Sequence, residues 1–213
     1  VLHKSLTVNM IDLPGTYSLY PKSADEAVTF DVLFDDDEAV KIDMILVVVD
    51  ASNLKRNLLF CSQIMDLNKP VIIVLTMMDI AKQKGIAVDI NGLSRELGFP
   101  VVAVNPRNNK GIVDLKKQME RLANYKHELR TTDFIDNYGL AKEVIQAVKK
   151  YYPVTSDSSA LHFASSFPDL GMLSDESKRK LSEELKALQF NKTKIQAEET
   201  LQRYARIKKI MLH

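Results

Sequence analysis

Apolar residues follow two different rhythms along the first part of the chain. Apolar runs occupy residues 42–49, interrupted only by Asp43, and 71–75, and less apolar β-rich runs occupy 5–12 and 100–104. Continuous rather than alternating hydrophobicity marks strands covered on both faces, the condition of a parallel sheet. Between these runs the apolar positions recur at helical spacing and predict helices over about 24–34, 53–67, 89–97 and 112–123. Ser23 and Glu26 have the spacing of a capping box, and Ser52 or Asn53 is the expected cap of the second helix. Leu54, Leu58, Cys61, Ile64 and Met65 share one helical face, so Cys61 reads as a small core residue rather than a nucleophile. Strands alternating with helices predict a doubly wound parallel α/β sheet. Ligands of such sheets sit at the carboxyl ends of the strands, here the loops after residues 12, 50, 79 and 104.

From about residue 133 the strand rhythm stops. Residues 134–151 predict an amphipathic helix ending before Pro153, and residues 174–188 and 191–211 predict two more. Residues 154–172, with Ser-Asp-Ser-Ser and Pro168, read as loop. Leu201, Tyr204, Ile207 and Met211 mark the face the last helix is expected to bury in a helical core, rather than a membrane-inserting surface. The expected organisation is an α/β domain over residues 1–128 and a small all-helical domain over 129–213, with the boundary near 125–133.

Composition narrows the field. Of 213 residues 46% are hydrophobic and 27% charged, an ordinary globular balance, with enough chain for a medium domain and a smaller one. A net charge of +1 makes no case for nucleic acid or an anionic membrane as partner. The single cysteine excludes an internal disulfide framework and fits a reducing compartment. No apolar run approaches the roughly 20 residues of a spanning helix. No signal peptide is visible, and a first residue of Val1 rather than Met reads as a fragment or a processed product. The acidic run Asp35-Asp36-Asp37-Glu38 reads as a solvated turn rather than a metal site. His3, His127, His162 and His213 are scattered without metal-ligand spacing.

Chemistry enters with the first run, which stops abruptly in Asp12-Leu13-Pro14-Gly15. An Asp delivered to the end of a strand and followed by Gly is how P-loop GTPases place a carboxylate beside Mg²⁺, usually through water. The glycine lets a backbone N–H approach the γ-phosphate, which a Cβ would obstruct. Taken alone the four residues equally describe a strand ending in a Pro-Gly turn.

Three segments in order then coincide with one family. Asp12-Leu13-Pro14-Gly15-Thr16-Tyr17-Ser18-Leu19, the stretch Val49-Asp50-Ala51-Ser52-Asn53-Leu54-Lys55-Arg56-Asn57-Leu58, and Thr76-Met77-Met78-Asp79 resemble the cytosolic G domain of the FeoB family of bacterial ferrous iron transporters. The resemblance covers residues 5–125. The helical remainder looks like the family's helical domain on position and helicity. The resemblance implies a P-loop GTPase-type fold that binds GTP/GDP with Mg²⁺. Asp12 would hold the metal through water, and Leu13, Pro14 and Gly15 would form the γ-phosphate side of switch II. Residues 16–35 would be the mobile segment behind it. Asp79, with Thr76, Met77 and Met78 shaping its loop, would accept from guanine N1–H and the exocyclic amine, a donor pair adenine lacks. Asn105, Pro106 and Arg107 would touch guanine O6 from their backbone. Catalytic residues stay unassigned. The partner implied is the transmembrane iron-permease region of the same parent chain, in a bacterial inner membrane. Nucleic acid is not expected, and a homo-oligomer is compatible.

The chain departs from the family pattern in three places. The phosphate-cradling G-x-x-x-x-G-K-[ST] loop, the switch I threonine and the first strand are not in this sequence. Since that strand would lie between residues 5–12 and 42–49, the expectation is that it lies upstream of Val1. Thr76 stands where the guanine motif has Asn, and a hydroxyl cannot replace both ends of an amide. Asn105-Pro106 replaces small residues in a loop about one residue longer. Thr16 follows Gly15, so the water-orienting Gln of Ras-type enzymes is not there, consistent with slow hydrolysis. The competing reading is a non-catalytic GTPase-like scaffold that binds partner proteins. An Era-like ribosome GTPase would need a basic appendage, and residues 133–213 carry mixed charge instead.

Overall fold

The computed structural model describes residues 7–21, 23–34, 42–124, 133–154, 156–166 and 174–212. The apolar runs become strands β1 (Ile45–Asp50), β2 (Val71–Thr76) and β3 (Val101–Ala103). They pair in parallel in the order β1-β2-β3, with Asp50 opposite Thr76 and Leu75 opposite Ala103. Alternate residues of β2 feed two cores. Val71, Ile73 and Leu75 pack with α2 (Leu54–Met65) and with α4 (Ile90–Leu97), while Ile72 and Val74 pack with Val102, Val104 and Leu122 of α5 (Ile112–Asn124). Helices thus cover both faces, as the doubly wound reading expects. Each fully buried aliphatic side chain of β2 contributes roughly 1.5–3 kcal/mol, so β2 anchors this layer.

Helix ends follow local chemistry. α1 (Ala24–Phe34) starts at Ser23, whose hydroxyl accepts from Glu26 N–H at 3.3 Å. Asp89 Oδ1 accepts from Gly92 N–H at 2.9 Å to start α4, and Gly98 closes it in the left-handed region. The expected cap of α2 is corrected. Asp50 Oδ1 accepts from Ser52 N–H at 2.7 Å and shapes a 3₁₀ turn over Ala51–Asn53, while the Asn53 side chain caps nothing. An unexpected helix, α3 (Met78–Gln83), follows β2, and left-handed Gly85 lets Ile86 N–H reach Ala81 O behind it.

The expected first strand is also corrected. Residues 7–12 form no strand and lie exposed, Met10 at 75%. Among the described residues β1 is the sheet edge and its Val48 is 65% exposed. The run therefore has no paired neighbour for its backbone groups, and an unpaired strand gains no ladder. The acidic run at 35–38 lies outside the described residues.

The second half contains α6 (Asn137–Tyr151), α7 (Asp157–Ser166), α8 (Asp175–Ala187) and α9 (Lys192–Ile210). The expected loop over 154–172 is corrected by α7, every residue of which after Asp157 is buried. The serine cluster is its N-terminus: Ser156 Oγ accepts from Ser159 N–H at 3.0 Å, and Asp133 Oδ2 accepts from Ser158 N–H at 3.0 Å. The expected buried face of α9 is corrected too. Leu201 and Met211 are exposed, and the buried positions are Glu199, Arg203, Ile207 and Ile210. Ile207 and Ile210 complete the core around α2, whereas Ile195 packs into a second core built by α6, α7 and α8. α9 therefore belongs to both. The expected domain boundary at 128/129 lies outside the described residues.

Candidate functional site

The parallel sheet brings three loops to one edge. Those after β1 and β2 start from register partners Asp50 and Thr76, and the loop after β3 leaves beside Leu75. Thr76 Oγ1 donates to Val49 O of β1 at 3.1 Å, fixing the start of the Thr76–Asp79 turn, and Lys84 Nζ, just past α3, donates to Ser52 Oγ in the loop after β1 at 3.3 Å. Met77 sits in the left-handed region at φ 55°, a conformation that favours glycine, which delivers Asp79 to the first turn of α3. Asp79 is exposed there, its carboxylate turned to solvent. That arrangement suits an acceptor for paired N–H donors.

The 105–107 loop is closed on itself. Asn105 N–H donates to Lys110 O at 2.9 Å, Arg107 N–H donates to Asn105 Oδ1 at 3.1 Å, and Pro106 has no N–H. In this conformation none of the three offers a free backbone donor. Gly111 supports the loop: its φ is +81°, and a Cβ would stand 2.0 Å from Ala103 O.

Asp12 and Gly15 are exposed, and a Cβ on Gly15 would meet nothing within 4 Å. A lone exposed carboxylate beside an open glycine fits a water-mediated contact to a hard cation and the approach of an anion to a backbone amide. Among the described residues no group of three or more His, Cys, Asp or Glu side chains is placed to hold a metal ion by itself. Behind Gly15 the segment is tied down step by step. Pro14 O accepts from Thr29 Oγ1 at 2.9 Å, Leu19 N–H donates to Gln63 Oε1 at 2.9 Å, and the Arg56 guanidinium lies 4.0 Å over the Tyr17 ring. The buried Tyr20 hydroxyl then donates to Glu199 of α9.

That contact opens onto a polar seam which the sequence reading did not single out. Arg203 of α9 is fully buried between α2 and α7. It reaches Glu199 Oε1 at 2.7 Å, Asp66 Oδ2 at 2.8 Å, Ser62 O at 2.9 Å and Ser158 Oγ at 3.2 Å. Asp66 also accepts from the Phe134 amide. Burial pushes Asp66 up to about 6 against the pull of Arg203. Burial also pushes Glu199 upward, but its histidine and arginine neighbours and the Tyr20 hydroxyl outweigh it and leave the carboxyl below its ordinary range. The only sequence signal was a Glu and an Arg four apart on the last helix, indistinguishable from a surface pair.

A three-stranded parallel layer with its polar loops at one edge, followed by a bundle of helices, is a GTPase-type nucleotide fold with a helical appendage. The chain belongs to the ferrous iron transport protein B family, whose model matches residues 1–119. An Fe(2+) transporter FeoB from Leptospira biflexa is 32% identical over 222 residues, spanning 97% of this chain and 31% of that protein. The chain thus spans about a third of the length of that relative. The cytosolic domain of T. maritima FeoB in apo form superposes with a TM-score of 0.76 at 24% identity, covering 100% of this chain and 82% of that one, a likeness of fold. The mGMPPNP-bound NFeoB from S. thermophilus is 26% identical with a TM-score of 0.67, covering 93% of this chain and 76% of that one. No helix among the described residues is long and apolar enough to cross a membrane.

Proposed function

We propose that this chain is the guanine-nucleotide-binding, regulatory portion of a ferrous iron transporter, with Asp79 as the residue that selects guanine. The observation that carries the reading is the delivery of an exposed Asp79 to the ligand edge of the sheet, on a loop tied down through Thr76, in a chain of this family. A solved relative is named as bound to mGMPPNP. Asp12 would hold Mg²⁺ through water and the Gly15 amide would meet the γ-phosphate, with Leu13 and Pro14 setting the turn between them. The bound cation neutralises phosphate charge. Residues 13–35 then change conformation with nucleotide state, and Tyr20 carries that change to the helices. The helical residues 129–213 are a separate domain in this reading, and the partner is an iron-permease region of the same parent chain in the inner membrane.

The self-closed 105–107 loop favours the second reading, a scaffold without nucleotide turnover. Backbone contact with O6 requires the Asn105–Lys110 hydrogen bond to open for the Asn105 amide, or the Arg107–Asn105 hydrogen bond to open for the Arg107 amide. Calorimetry on the intact parent protein separates the two. Asp79→Asn turns an acceptor into a donor facing the base and is expected to cost roughly 2–4 kcal/mol of GDP affinity, the scale of an unmatched charged hydrogen-bond pair. Unchanged GDP affinity removes Asp79 from the base site, and no GDP binding by the unsubstituted protein favours the scaffold.

A further inference from the structure

The seam at α9 also contains a histidine without a hydrogen-bond partner. His162, on α7, is fully buried, and neither ring nitrogen has a hydrogen-bond partner. Its ring lies 4.4 Å from that of Tyr20 and 6.0 Å from that of Phe34 at the end of α1. Its Nε2 is 3.8 Å from Glu199 Oε1, just beyond hydrogen-bond reach. An imidazole buried with both nitrogens idle is costly and calls for an explanation. The geometry supplies one. The carboxylate of Glu199 faces the ring at that distance, and the partners now engaging it are Tyr20 and Arg203.

We propose that docking of residues 16–20 against the helices is linked to release of one proton from His162. In the docked state the Tyr20 hydroxyl serves Glu199, its ring seals His162 from water, and the imidazole stays neutral. When the segment withdraws, water enters the space of the Tyr20 ring. His162 takes a proton from solvent and replaces Tyr20 as the partner of Glu199. The proposal rests on the mobility of residues 13–35 in the reading above and adds what the segment exchanges with when it leaves.

The charges around the ring set the sign. Burial holds His162 down to about 4 against the attraction of Glu199, with Arg203 adding to the depression. Freed of Tyr20 it returns toward the ordinary 6.5 or so. A pKa lowered in the docked state means that docking weakens as pH falls through about 6.5, and the loss is complete near 4. Between about pH 7.5 and 5.5 the ratio of withdrawn to docked segment therefore rises roughly tenfold. The other groups facing the seam do not mimic this. Arg203 stays charged, burial raises Tyr20 well above its usual range, and Glu199 stays ionised. Asp66 titrates at about 6, but it faces Arg203 and the Phe134 amide, neither of which leaves with Tyr20. Asp133, raised by burial, faces Asn137 and Ser158.

The test uses the 213-residue chain without nucleotide. NMR follows the His162 ring between about pH 8 and 5, and hydrogen exchange follows protection of the Leu19 and Tyr20 amides across the same range. Protection is expected to fall roughly tenfold from pH 7.5 to 5.5 and to stay flat in His162→Phe. In Tyr20→Ala the His162 midpoint is expected to move up toward about 6.5. An unmoved midpoint in Tyr20→Ala, or a pH response that persists in His162→Phe, overturns the proposal. Because no nucleotide is present, failure here leaves the nucleotide-switch reading standing, and that reading is tested separately with bound nucleotides.

Discussion

Replacing Arg203 by methionine keeps most of the apolar stem of the side chain and removes every donor. Five contacts go with it, to Glu199, Asp66, the Ser62 carbonyl, the Ser62 hydroxyl and the Ser158 hydroxyl. Deleting one partner of a buried ion pair costs about 3–5 kcal/mol, because the remaining charge is left uncompensated. Here two carboxylates are stranded, but each keeps one donor, Tyr20 for Glu199 and the Phe134 amide for Asp66. The expected loss is about 4 kcal/mol at pH 7, a large share of the 5–15 kcal/mol typical of a whole domain. The deficit also carries a pH signature. Asp66 is pushed up to about 6 even beside the guanidinium, so without it the carboxyl rises further. A folded-state pKa above the unfolded value destabilises the fold at neutral pH, and protonation relieves that cost as pH falls. The gap between variant and wild type should therefore narrow by at least about 1 kcal/mol on going to pH 5, the equivalent of roughly one pKa unit. Urea unfolding followed by circular dichroism at both pH values reads this directly. A loss below about 1 kcal/mol at pH 7, the size of an exposed ion pair, would refute the argument.

Thr76→Val removes the hydroxyl that holds the base loop to Val49 and should weaken GDP binding to the parent protein by about 1 kcal/mol, while Thr76→Ser preserves it. Equal affinities in calorimetry would show that the tie does not set the base site. Gly111→Ala forces a side chain into the left-handed region 2.0 Å from Ala103 O and should cost about 1–3 kcal/mol, read as a lower melting temperature. An unchanged melting temperature would mean that the loop relaxes freely. Hydrogen exchange of residues 13–35 in the parent protein is expected to differ between GDP and a non-hydrolysable GTP analogue. Equal protection in both states would place the switch elsewhere.

The buried strands and the helices covering them were legible because their apolar residues have nowhere to go but inward, and Val71 to Leu75 could be read without ambiguity. The strand expected at 5–12 is β-rich and ends in Asp as β1 does, but pairing depends on a neighbour, and composition does not encode who that neighbour is. Helix α7 was hidden because serines mark turns and helix starts equally, and its buried residues, mostly Ser and Ala, leave no amphipathic stripe. For α9 the apolar residues pointed to one face, yet the fold buries the face bearing Glu199 and Arg203. Charge is read as surface from sequence, and only partners 141 residues away reverse that. At the ligand edge the acceptor Asp79 was visible from its spacing, whereas the absence of free donors in 105–107 depends on a side chain folding back onto its own backbone.

The distance along the chain from Ser62 to Arg203 has a consequence for how the molecule comes into being. A ribosome delivers β1, α2 and β2 ahead of α9, so the polar stretch at the end of α2, with Ser62, Gln63 and Asp66 facing inward, has no counter-charge until α9 emerges. Contacts of such long separation carry their loop-closure entropy before they return any stability. The nascent sheet layer therefore waits, half-assembled and with a buried-type carboxylate still hydrated, for a guanidinium that lies 141 residues beyond Ser62. Synthesis halted between α5 and α9 would leave a chain that has β1, β2 and β3 but lacks the guanidinium that closes the layer against the helices.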